Sequence, residues 1–72
     1  MACSVPIYYL LHRIMADGSE GMLMEPDMAS LLTDAVAAER EGSWRAVRVT
    51  LGRDTVLEGH ALRDAIEEHA AR

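Results

Sequence analysis

Four residue types are missing altogether. The chain has no phenylalanine, asparagine, glutamine or lysine, so all seven basic residues are arginine. Lysine, asparagine and phenylalanine use AT-rich codons, whereas alanine and arginine are abundant here; the pattern points to a high-GC genome, bacterial or that of a phage. Cys3 is the only cysteine, which excludes an internal disulfide. No C-x-x-C or H-x-x-x-H pair brings Cys3, His12, His60 or His69 to metal-ligand spacing, so no metal and no cofactor is expected. Neither G-x-x-x-x-G-K nor G-x-G-x-x-G occurs, and the acids beside the glycines of DGSEG would repel a phosphate. The serines stand in no G-x-S-x-G turn, and no catalytic residue is assigned.

Long apolar runs are lacking too. Nothing approaches the roughly 18 residues of a membrane span. Residues 5–11 are too short for a signal h-region and have no basic stretch before them, so a cytoplasmic location is expected, with Cys3 reduced. The net charge of −5 argues against direct nucleic-acid binding, in which phosphate contacts dominate affinity.

What is present is a hydrophobic fraction of 50% in 72 residues, enough for one folded domain but not for a large core. A domain of this size often adds a disulfide, a metal or a second subunit to its own packing. With the first two set aside, a homodimer is the expectation.

The order of elements follows from local signals. Residues 5–15 have strand composition, with Pro6 near the start. ADGSEG, 16–21, is a turn, and MLM, 22–24, a short return strand. EPDMASLLTDAVAAERE, 25–41, is the clearest helix: Pro26 suits its first turn, Met28, Leu31, Leu32, Ala35 and Val36 form one apolar stripe, and Gly42 ends it. WRAVRVTL, 44–51, alternates, with Val47, Val49 and Leu51 on one side and Ala46, Arg48 and Thr50 on the other. A turn at 52–54, a short strand at 55–58 and a helix over 60–71 follow. The last helix has a stripe at Leu62, Ala65, Ile66, His69 and Ala70, and an i,i+4 pair of Arg63 with Glu67. The two stripes share one spacing, an architectural echo without matching identities. The expected fold is α+β, in the order β-β-α-β-β-α: a four-stranded, mainly antiparallel sheet with both helices packed on one face.

That fold leaves one sheet face uncovered, and VPIYYLLHRIM, 5–15, is apolar on both parities. A half-buried strand normally alternates apolar and polar residues. The second face is therefore expected to be covered by another chain. If Arg13 takes a place comparable to Arg48, the outward set is Tyr9, Leu11 and Arg13, joined by Trp44 and Arg48 from the third strand. These five are the expected protein interface, a composition rich in aromatic residues and arginine. A bulge in so long a strand could reverse the parity midway.

The functional expectation is a small non-enzymatic interaction module that self-associates through its sheet and binds another protein. Two alternatives stand beside it. The acids of the helices could mimic phosphate and make the chain a phage or mobile-element inhibitor of a nucleic-acid-binding protein. A small enzyme could place a site at a subunit boundary near His12, His60 or His69.

Overall fold

The computed structural model describes residues 8–72. The strands are β1 (Tyr9–Met15), β2 (Glu20–Glu25), β3 (Trp44–Leu51) and β4 (Asp54–Glu58), and the helices are α1 (Met28–Glu41) and α2 (Gly59–Ala70). The order is ββαββα and the fold is α+β, as the sequence predicts. The expected start of the first strand, with Val5, Pro6 and Ile7, lies outside the described residues, as does Cys3. No helix among the described residues is long and apolar enough to cross a membrane.

The four strands form one antiparallel sheet in the order β2-β1-β3-β4. Each ββα half contributes a hairpin and the helix after it, and the first strands of the two hairpins meet in the middle. β2 and β3 both run antiparallel to β1 and hence parallel to each other, so α1 is a crossover that passes over β1.

Local chemistry explains the joints. Asp17 closes the first hairpin as an Asx turn: its Oδ1 accepts from Ser19 N at 2.9 Å and Ser19 Oγ at 2.6 Å, while Gly18 takes φ 91°. Those two hydrogen bonds hold the Asp17 carboxyl below its usual range, the Ser19 hydroxyl contributing most. α1 starts at Asp27, whose Oδ1 accepts from Ser30 N at 2.7 Å. Pro26 therefore precedes the cap rather than sitting in the first turn. The helix ends in a Schellman motif: Ser43 N donates to Ala38 O at 2.9 Å and Gly42 N to Glu39 O at 3.4 Å, with Gly42 at φ 74°.

The core lies between the sheet and both helices. Leu11 and Val49 from the central strands, Leu31 and Ala35 from α1, and Leu62 and Ile66 from α2 are buried, and Tyr9, Leu23, Trp44 and Leu57 pack around them. Ala46 belongs to this core as well, at 4% exposure, against the expected alternation of β3. The reason is a bulge. His12 pairs with Arg48 and Arg13 with Ala46, so Val47 has no partner in β1. The extra residue sends Ala46 and Val49 to the same side and leaves Val47 45% exposed on the other.

Candidate protein-interaction face

The bulge is held by side chains from both helices. Arg63 of α2 grips Glu39 of α1 through two hydrogen bonds, of 2.7 and 2.9 Å, and donates a third to Ala46 O at 2.9 Å. Glu39 Oε2 in turn accepts from Ala46 N at 3.3 Å. β4 pairs with β3 only from Arg48 onward, so Ala46 beside the bulge has no strand partner on that side, and the ion pair supplies partners for its N–H and C=O. Arg63 thus pairs with Glu39, 24 residues away in sequence, and not with Glu67 as the i,i+4 spacing predicts. The Arg63 guanidinium holds the Glu39 carboxyl below its ordinary value, against the opposing effect of burial.

With both helices on one side, the other side of the sheet is open. Six large apolar side chains among the described residues are exposed: Tyr8, Ile14, Met22, Met24, Val47 and Val56. Strand alternation and the two bulges place all six on the open face. Tyr8 and Ile14 share the parity of Leu10 and His12 along β1, and Met24 and Met22 are the register partners of Leu10 and His12. Val56 has no partner in β3, because Val49 pairs with Leu57 and Thr50 with Thr55. Met22 and Met24 are the most exposed, at 61% and 59%.

Polar groups on this face are few and placed in pairs. His12 Nε2 lies 3.3 Å from Thr50 Oγ1. Arg48 stands opposite Glu58 in register, and Ile14 is flanked by Glu20 on one side and Arg45 on the other. A hollow of about 360 Å³ opens among His12, Ile14, Met22, Val47 and Arg48. Each of the four strands thus brings at least one apolar side chain to the face or its end, with polar groups and charges of both signs among them.

Of the five residues expected to form the interface, only Arg48 belongs to this face. Leu11 is fully buried beneath the helices and is not available to a partner. Tyr9 and Trp44 pack around the same core. Arg13 reaches across Gly21 to Trp44, its guanidinium carbon 5.0 Å from the ring centroid. Glycine at position 21 makes room for it, since a Cβ there would meet Arg13 Nε at 3.3 Å. That Nε is buried without a hydrogen-bond partner, and stacking on the indole compensates in part. The parity is therefore the reverse of the expected one. Leu10, His12 and Ile14 face outward, with Met22, Met24 and Val47. The alternation of EGMLME in β2 carried the signal for the methionines; nothing in β3 marked the bulge.

The histidines are dispersed. His12 is on the open face, and His60 begins α2. His69 bridges the two helices, its Nε2 2.8 Å from Thr33 Oγ1. No three His, Cys, Asp or Glu side chains gather into a metal-binding group among the described residues. Glu25 and Asp34 form a carboxyl pair on the helix side, and the hydrogen bond between them holds Glu25 above its usual range.

A scan against protein-family models finds no match for the chain, and searches of curated proteins and of solved structures find none either.

Proposed function

We propose that the chain is a small, non-catalytic protein-interaction module whose working surface is the open face of the sheet. One observation carries the reading: all six exposed large apolar side chains among the described residues collect on that face. Scattered surface hydrophobics are ordinary, whereas a contiguous patch rimmed by polar groups marks a contact surface. Four strands supply the patch, so it is rigid and pre-formed. Methionines at two of its most exposed positions adapt to an opposing surface without a conformational change of the backbone.

The test is site-directed photo-crosslinking in cells. A photo-reactive phenylalanine analogue placed at Met22 is expected to give protein adducts. The same group at Glu68, on the exposed side of α2, is expected to give far fewer. Equal yields from the two positions, or none from Met22, would overturn the reading.

A further inference from the structure

Resting on the reading of the open sheet face as a contact surface, we propose that its occupant is a second copy of this chain, packed sheet against sheet across a two-fold axis. Three observations support a self-contact.

The first is charge. A two-fold contact uses one patch twice, so a patch of one sign would repel itself, and a self-complementary patch must hold both signs. This face does. Arg48 and Glu58 are register partners, and Glu20 and Arg45 flank Ile14. Both signs are present there, although the chain as a whole carries −5. The surplus acids lie on the helices, in the turns and, as Glu25 and Asp54, on the helix-side parity at strand ends, so two copies can meet with most of their like charges off the contact.

The second is area. Four strands spaced by about 4.8 Å, with a usable length of roughly 23 Å, give a footprint on the order of 440 Å². Two such footprints come to about 880 Å² before side-chain relief is added, near the lower end of specific interfaces. The open face is therefore large enough for a stable dimer only if nearly all of it is used. An aligned face-to-face packing of two twisted sheets uses all of it.

The third is the size of the core. Among the described residues, the fully buried large side chains are Leu11, Leu31, Leu62 and Val49, and all four lie between the sheet and the helices. A second layer on the other side of the sheet, made by a copy of the same face, gives β1, which is apolar on both parities, the two-sided burial that its composition fits.

The experiment is molar mass by light scattering behind size exclusion, over a dilution series to low micromolar, on the purified full chain and on Met22→Glu and Met24→Glu. Both methionines are largely exposed in the single copy, so neither change disturbs its core. Oxidative labelling of Met22 and Met24 in the same samples reports whether the face is covered. The expected result is a species of twice the chain mass whose Met22 and Met24 are protected. Each substitution is expected to raise the dissociation constant by about tenfold or more, since it buries a carboxylate against apolar side chains. A folded monomer with freely oxidised methionines would overturn the second copy while leaving the face free for another protein. A dimer whose Met22 and Met24 oxidise freely would overturn it too, by placing the contact elsewhere on the chain.

Discussion

Leu10 and Leu11 are chemically identical neighbours in β1. Leu11 is fully buried under two helices, while Leu10 lies on the open face between Met24 and Thr50. The same contrast runs across the whole sheet. One face is closed by Leu31, Leu62 and Ile66 of the helices; the other carries Leu10 and Ile14 of β1 beside Arg48 and Thr50 of β3 and has nothing from the described residues over it. The polar groups distinguish the two. On the closed face the charged network of Glu39 and Arg63 is tied into the backbone of β3 and has a fixed place. On the open face Arg48 and Glu58 sit opposite one another in register, but no ion pair forms between them within one copy.

Six substitutions break or sharpen that contrast. Leu11→Ala removes a fully buried side chain and is expected to destabilise the chain by about 3 kcal/mol, against less than about 0.5 kcal/mol for Met24→Ala, by urea denaturation under monomeric conditions. Near-equal losses would mean that the closed face is not the core. Trp44→Ala comes next. It strips the indole from the core margin and unstacks Arg13, and a loss of about 2 kcal/mol is expected without any change in the molar mass of the species in solution. A selective loss of assembly with unchanged stability would return Trp44 to the contact surface.

The Glu39–Arg63 pair has a pH signature. The Glu39 carboxyl is held below its ordinary value of 4.5. A carboxyl with a lowered folded pKa contributes stability that is fully present above the unfolded value and is lost as pH falls through the folded one. Acid unfolding is therefore expected to begin below about pH 4.5, and Glu39→Gln to flatten the slope in that window. At neutral pH, Arg63→Met is expected to cost about 1 kcal/mol, because it leaves Ala46 O and Glu39 without their donor. An unchanged acid limb in Glu39→Gln would remove the clamp from the account of the bulge. Thr50→Val is the smallest change. It deletes the hydroxyl beside His12 on the open face and is expected to shift monomer stability by no more than about 0.5 kcal/mol.

The residues that the sequence placed well are those whose chemistry is local. Gly42 ends α1 because a left-handed backbone is required there, and the stripe from Met28 to Val36 meets the core because its period matches a helix turn. β3 has the full length its sequence predicts, Trp44–Leu51, yet strict alternation predicts no bulge in it. Strict alternation puts Ala46 beside Arg48 on the outer face and so favours the parity that carries Arg13 there, whereas the bulge turns Ala46, and Arg13 opposite it, to the helix side. Val47 is as apolar as Val49, so no residue type marks the extra position. Arg63 has an acid one turn away and binds a different one, because Glu39 is offered by the neighbouring helix together with two backbone groups in need of partners.

Element types, their order, the caps and the turns were determined by the sequence itself, since each rests on interactions spanning one to five residues. The presence of two apolar sheet faces was equally legible, because both parities of β1 are written in it. Which of them is covered was decided only in three dimensions. α1 joins the parallel strands β2 and β3 by passing over β1, and such crossovers are right-handed in nearly all folds. That chirality sets the side on which the helices lie, and the bulge at Val47, clamped by Glu39 and Arg63, sets which residues of β3 meet them. Both depend on contacts between segments far apart in the chain, to which a strand apolar on both sides gives no clue.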